Sequence, residues 1–434
     1  MENIETIKEC EFLDFYNSRT YNANCFNDDG SLNKNYNSFK STGIIPSIFE
    51  EHWAETYNDN KEIIDTYRPN ATIEVQKIID CYNKNLGCSV YECPSCHDIV
   101  FIGHTCKSRF CSSCGYKYKN DRVESILQTA YNCNHRQIVF TIPEQLRKYF
   151  FFPFEDRINL LFKTVRDTIY SILNVSFKRN KKGILKKYTS KVKYTPGFFA
   201  FLHTFGRDLK WNPHIHILIA EIKLRDNGSC VPWKFFDYDA LSLRFQKILL
   251  DILSKSLGKS FDKDKNFLYH KYPKGFYVYA EPKKFPDFKS GVEYVTRYCG
   301  RVPISENRIV NYDGSNVTFS YIDHQDNKYH EVTLSASQFI IILLRHLLPT
   351  QFKIIRYYGF YRKKHSIHSK MIPLIKQHCR IFRKQLLKYE LSISMAFHRN
   401  PYNCPKCDTK MNFVLCINWN EVFICLILIL SLLL

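Results

Sequence analysis

The chain has 434 residues, 45% of them hydrophobic, enough to bury real cores and, at roughly 100–200 residues per domain, to form two to four domains. Its 62 Lys and Arg against 42 Asp and Glu leave a formal +20, so a polyanion is the first partner to consider and an acidic substrate the second. Seventeen cysteines, an odd number with eight crowded between Cys81 and Cys133, argue against a secreted disulfide framework and for metal-binding thiolates in a reducing cytosol. Aromatic residues make up 15%, and flat aromatic faces are what unstacked bases need, which leans toward single strands.

Residues 1–68 read as an accessory extension: an Asn-rich stretch, then a helical pattern around Ile48 to Tyr57. Met1 to Phe15 holds no apolar run of signal-peptide type, which predicts a cytoplasmic protein. Residues 69–133 carry a helix ending near Cys81 and then the cysteine cluster, a small metal-stapled module. Cys93-Pro-Ser-Cys96 and Cys111-Ser-Ser-Cys114 are two CxxC knuckles at a spacing that lets four thiolates close one tetrahedral zinc site. Cys106 and Cys81, ahead of Cys88 and His104, are candidates for a second. Lys107, Arg109, Lys117, Lys119 and Arg122 decorate the module, so its expected work is to hold nucleic acid.

From residue 134 to 370 the pattern predicts a larger α+β domain. Ile138 to Ile142 is a buried strand stopped by Pro143, and Asp156 to Leu173 has apolar residues at helical spacing. Between Phe177 and Tyr194 lie Lys178, Arg179, Lys181, Lys182, Lys186 and Lys187 with no acid among them, either a solvated loop or a phosphate-contacting arm. Gly197 to Thr204 and His214 to Glu221 should pair as an antiparallel hairpin across a turn containing Gly206, Asp208, Asn212 and Pro213. A helix from Asp239 to Ser254, a strand at Phe276 to Ala280 and a helix from Phe288 to Cys299 follow. Strands near Arg308 to Asn311 and Val317 to Ile322 and an apolar helix from Ser337 to Leu348 complete the domain.

His214-Ile215-His216 on a strand puts two imidazoles on one face, where they can share a metal. Tyr294 and Tyr298, four apart on a helix, stack two phenols on one face. Each motif alone is weak: fifteen histidines yield roughly half an HxH by chance, and 29 tyrosines about two such pairs. Arg356, Tyr357, Arg362 and Lys363 belong to a stretch interleaving cations and aromatics, suited to a single strand or equally to packing. Residues 371–434 hold a further helix, Cys404-Pro-Lys-Cys407, and an apolar end. That knuckle is half a zinc site that would need Cys416, or it stays without metal. The apolar run Val422 to Leu434 is shorter than the ~20 residues of a membrane span, so no membrane partner is expected.

The order of these features resembles the two-tyrosine HUH transposases of the insertion-sequence ninety-one family. The resemblance rests on Thr105 to Cys114, Ile138 to Pro143, His203 to Leu209, Asn212 to His216, Tyr294 to Tyr298 with Arg301 to Ser305, and Tyr357 to Phe360. It implies an α+β fold of the HUH endonuclease type, an antiparallel sheet flanked by helices and preceded by a zinc-binding module. It also implies rolling-circle transposition, with single-stranded DNA at the ends of a mobile element, and target DNA, as partners in a bacterial, nucleoid-associated setting. Tyr294 and Tyr298 would be nucleophiles forming a 5′-phosphotyrosine, and His214 and His216 would hold Mg²⁺ or Mn²⁺ beside the structural Zn²⁺. In related replication initiators a third ligand comes from the preceding strand, and a hairpin setting His203 opposite His214 makes His203 the candidate, with Asp208, Asn212 and Glu293 behind it. The competing reading of His203 is a histidine that only hydrogen-bonds within the hairpin. The competing functions are a plasmid or phage replication initiator, which shares the tyrosine chemistry, and a non-catalytic zinc-dependent nucleic-acid binder.

Overall fold

The computed structural model describes residues 43–82, 86–131, 133–179, 185–190, 192–233, 236–279, 288–296, 303–323, 326–362, 388–397 and 400–417. The first described helix is α1 (Ile44–Tyr67), longer than the predicted pattern and interrupted at Asn60, whose backbone leaves the helical region. Its apolar stripe, Ile45, Ile48, Phe49 and Trp53, is buried. After α2 (Ala71–Ile79) come β1 (Cys88–Glu92) and β2 (Ile99–Gly103), an antiparallel hairpin, and α3 (Ser112–Thr129).

The larger domain is built on β3 (His135–Thr141), α4 (Phe154–Asn174), the ribbon β4 (Val175–Arg179) and β5 (Leu185–Thr189), then β6 (Gly197–Phe205) and β7 (Trp211–Ala220). Asp237 caps α5 (Tyr238–Leu257) by accepting from the Ala240 amide at 2.9 Å. Next are β8 (Val278–Tyr279), shorter than expected, and α6 (Phe288–Thr296), beyond which the predicted end at Cys299 lies outside the described residues. The meander β9 (Ile309–Tyr312), β10 (Asn316–Ile322) and β11 (Tyr329–Ser335) leads into α7 (Ala336–Leu344), which opens with a reciprocal Ser335–Gln338 capping box. Then come β12 (Ile355–Gly359), α8 (Tyr389–Phe397) and β13 (Asn412–Ile417).

Five strands form the central antiparallel sheet, in the order β8-β3-β7-β6-β12. Its centre is apolar on both faces: Phe198 to Leu202 and Ile217 to Ala220 are all buried, covered by α4 and α5 through Ile158, Leu161, Phe162, Leu249 and Leu253. This is the antiparallel sheet flanked by helices that the sequence implies. The edge β12 is seated by a glycine pair. Gly359 stands opposite Gly197, has φ +59°, and a Cβ on it would lie 1.6 Å from the Pro196 carbonyl oxygen. A second core joins α1, α2, the meander and α7 to Cys81, Phe110, Cys111 and Cys114. Buried Arg68 ties α1 to α7 by donating to the carbonyl oxygens of Leu344 and Arg345 at the helix C-terminus. Helix α3 instead sends Val123, Ile126 and Leu127 into the sheet's core. Among the described residues no helix is long and apolar enough to cross a membrane.

Candidate functional site

The two-residue repeat of a strand puts His214 and His216 on one face of β7, and the β6–β7 register sets His203 directly opposite His214. The three imidazoles each offer a nitrogen within 4.8 Å of the others. Ring centroids are 4.1 Å apart for His203–His216, 5.2 Å for His203–His214 and 5.0 Å for His214–His216. A bulge between His203 and Phe205 ends the regular pairing. Burial is the main reason His214 is pushed down to about 4, and burial followed by its two histidine neighbours holds His216 well below the ordinary imidazole range, so both rings are neutral at neutral pH.

Tautomers are set from outside the cluster. His214 Nδ1 donates to the Asn212 carbonyl oxygen at 2.7 Å, which leaves its Nε2 lone pair free to ligate. On neighbouring β3, Gln137 Nε2 lies 2.9 Å from His216 Nδ1 and donates to it, so that ring nitrogen is engaged from outside the cluster. Of the runner-up ligands only Asn212 lines the same cleft as the histidines. Asp208 turns to Lys210 at 3.2 Å and accepts from that residue's amide, Asn212 contributes its backbone, and Glu293 is exposed on α6.

The histidines open on a cleft of about 680 Å³ also lined by Tyr294, Arg207, Arg308, Tyr321 and Tyr329. Helix α6 brings Tyr294, which is 37% exposed, to one wall and the meander supplies another. Arg308 is held in place by donating to the Ser320 carbonyl oxygen at 2.8 Å, and Arg207 donates to that of Ile322 at 3.2 Å. Arg207, Arg308, Tyr321 and Tyr329 were not singled out from the sequence. The meander's third strand, β11, which supplies Tyr329, alternates exposed with half-buried residues and so lacks an apolar run. Tyr298 lies outside the described residues.

The cysteines divide differently from the single four-thiolate site expected of Cys93, Cys96, Cys111 and Cys114. Cys111 and Cys114, at the start of α3, gather with Cys81 and Cys106; sulfur separations are 3.7 Å for Cys81–Cys114 and 3.6 Å for Cys106–Cys114 and Cys81–Cys111. Cys93 and Cys96 lie instead with Cys404 and Cys407. The β1–β2 hairpin carries the first knuckle away from α3, so the two knuckles cannot share an ion. Cys416 sits by His104, at 3.5 Å, rather than with Cys404, and His104 is bonded to Ser89 and the Leu86 carbonyl. Local spacing drew attention to the nearer knuckles. The overlooked signal was the shared Cys-Pro-x-Cys form of residues 93–96 and 404–407, which Cys111-Ser-Ser-Cys114 lacks.

Of the basic residues, Lys178, Arg179, Lys186 and Lys187 lie on the β4–β5 ribbon, where Lys178 is paired with Lys186. The described part of the run is therefore a two-stranded ribbon in its backbone. Lys181, Lys182 and Lys363 lie outside the described residues, and Arg362 is exposed. Arg356 and Tyr357 are half-buried and make packing contacts: Arg356 lies 3.9 Å over the Phe162 ring and bonds Asn159, while Tyr357 packs edge-on to Phe199. Burial lowers the first group's pKa and raises the second's. Arg109 likewise donates to the Phe352 carbonyl oxygen at 2.9 Å.

Comparison with known proteins adds a second line of evidence. Residues 197–368 match the family model described as putative transposase, and residues 48–142 match the transposase zinc-binding domain. The chain is 25% identical over 364 residues to the transposase for insertion sequence element IS801 of Pseudomonas savastanoi pv. phaseolicola, covering 79% of this chain and 83% of the relative. It is 29% identical over 302 residues to the putative transposase y4qJ of Sinorhizobium fredii (strain NBRC 101917 / NGR234), covering 64% and 71%. A solved structure of the conjugative relaxase TrwC in complex with OriT DNA is similar at 15% identity over 39% of this chain and 68% of that one, with a TM-score of 0.22. The zinc-binding match and the cysteine clusters together support structural zinc.

Proposed function

This chain belongs to the insertion-sequence ninety-one family of transposases, and from that premise we propose that it nicks and rejoins single-stranded DNA through a 5′-phosphotyrosine during rolling-circle transposition. The observation that carries this reading is the cleft that Tyr294 shares with His203, His214 and His216. The three clustered imidazoles fit a divalent ion, and nitrogen donors favour Mn²⁺ over Mg²⁺. Held by the three histidines, such an ion would polarise the scissile phosphate and orient it for in-line attack.

The protein's own groups supply the rest. The Tyr294 phenol attacks phosphorus as its proton leaves; the bond to the 3′ oxygen breaks, and that oxygen departs with a proton as a 3′-hydroxyl. One phosphoester replaces another, so the bond energy is stored and rejoining needs no ATP. Tyr298, four residues further on in the sequence, would take a second strand without release of the first end. Arg207 and Arg308 on the cleft wall suit the backbone of a bound strand, and Tyr321 and Tyr329 suit its bases.

Incubation with single-stranded DNA carrying the element's ends and Mn²⁺ should give a protein–DNA adduct on a denaturing gel. A non-catalytic binder would leave the DNA uncut. An adduct that persists when Tyr294 and Tyr298 are both replaced by Phe would place the nucleophile elsewhere.

A further inference from the structure

We propose that Cys93, Cys96, Cys404 and Cys407 form a second structural zinc site, a clamp that fastens a segment near the C-terminus onto the N-terminal module. The ligands come from positions 314 residues apart in sequence, and Cys404 and Cys407 lie outside both regions matched by the family models.

The distances are those of a tetrahedral thiolate site. A Zn–S bond of about 2.3 Å makes the edge of the sulfur tetrahedron about 3.8 Å. The separations are 3.4 Å for Cys93–Cys407, 3.6 Å for Cys96–Cys404 and 3.7 Å for Cys96–Cys407. They resemble those of the Cys81 cluster, and none of these cysteines is in a disulfide.

The two knuckles are also built alike. Each reads Cys-Pro-x-Cys, and the residue after the second cysteine takes a left-handed backbone, φ 55° at His97 and 57° at Asp408. In each, that residue's amide donates to the first cysteine's carbonyl at 2.9 Å. Each first cysteine's amide in turn donates to the carbonyl five residues on, Asp98 at 2.9 Å and Thr409 at 2.8 Å. The Lys406 amide lies 3.4 Å from Cys404 Sγ, a donor suited to a thiolate. Two matched half-sites meeting face to face are what a shared ion requires. Strand pairing supports the approach: β13 joins β1 as the third strand of the module's sheet, and Lys406 reaches Asp98 at 2.7 Å.

Metal analysis of the full-length protein should find two zinc ions per chain, and the Cys404→Ser/Cys407→Ser double variant should retain one, at the Cys81 cluster. The unaltered protein supplies an independent measurement. Cys96 and Cys407 are exposed, so without metal they are open to alkylation, Cys407 the faster of the two. With zinc bound they should resist iodoacetamide, and a chelator should release Cys93, Cys96, Cys404 and Cys407 to labelling together. Prompt alkylation of Cys96 and Cys407 in zinc-replete protein, equal zinc content in the double variant, or a Cys93–Cys407 disulfide by mass spectrometry would each overturn the proposal.

Discussion

His203 and His214 are direct partners across the β6–β7 ladder, and the two-residue repeat of β7 then brings His216 within 4.1 Å of the His203 ring. Three candidate ligands thus arise from one hairpin, and under the proposed function each is expected to matter to the cut more than to DNA binding. His216→Ala should form adduct at least about a hundredfold more slowly, since removing Lewis-acid stabilisation is worth several kcal/mol. His203→Ala should behave the same way if it ligates and leave the rate nearly unchanged if it only packs. Adduct formation timed against Mn²⁺ concentration, with DNA affinity measured in parallel, separates the two.

Single tyrosine variants test whether the phenols alternate. Tyr294→Phe and Tyr298→Phe should each retain one transfer but fail at a strand exchange that needs two, and the double variant should form no adduct while keeping its melting temperature. Loss of folding in the double variant would instead assign the rings to packing.

The ribbon and the edge strand should respond in opposite ways. Replacing Lys178, Lys186 and Lys187 by Gln is expected to flatten the dependence of affinity on salt, by roughly 0.7 in the log–log slope for each lost phosphate contact on a single strand. Arg356→Ala should leave that slope alone and lower stability by about 1–2 kcal/mol, because the guanidinium is stacked on Phe162. Salt titrations and urea unfolding of the same variants decide it.

Acid should loosen the fold through two buried histidines outside the cluster. Burial pushes His135 down to about 3 and His346 down to about 4, below the ordinary value near 6.5. Both are therefore neutral when folded, while the unfolded chain takes up protons first as the pH drops. Their contribution is complete above pH 6.5 and is lost as the pH falls toward 4, by up to roughly 1.4 kcal/mol per unit for each group. Urea midpoints at pH 7.5 and 5.0 should diverge less in His346→Gln than in the unaltered protein.

Gly359→Ala should cost about 3 kcal/mol or more, since the left-handed backbone and the Pro196 carbonyl both oppose a Cβ. A melting temperature within a degree of the unaltered protein would contradict this.

What could be read from the sequence was what local periodicity encodes. Ile138 to Ile142, Asp156 to Leu173 and the His203–His214 hairpin follow from alternation and helical spacing, and the structure has them within a few residues. Two kinds of feature escaped. Partnerships between distant segments carry no periodic signal, so Cys93 was matched with Cys111 nearby rather than with Cys407. Composition also hides direction: Arg356 and Tyr357 have the chemistry of a nucleic-acid contact, but pairing of β12 with β6 turns them onto neighbouring rings.

The pairing of β1 with β13 bears on how the protein is made. A ribosome releases the β1–β2 hairpin early, yet the strand that completes its sheet arrives only as residues 412–417 emerge. Until then the hairpin is two-stranded, with one edge unpaired and little stability of its own. Closing so long a loop is slow but adds little to its entropic cost, because that cost grows only with the logarithm of length. A nascent chain interrupted before residue 404 therefore carries the histidine hairpin without a finished N-terminal module, and emergence of residues 404–417 becomes a checkpoint on that module.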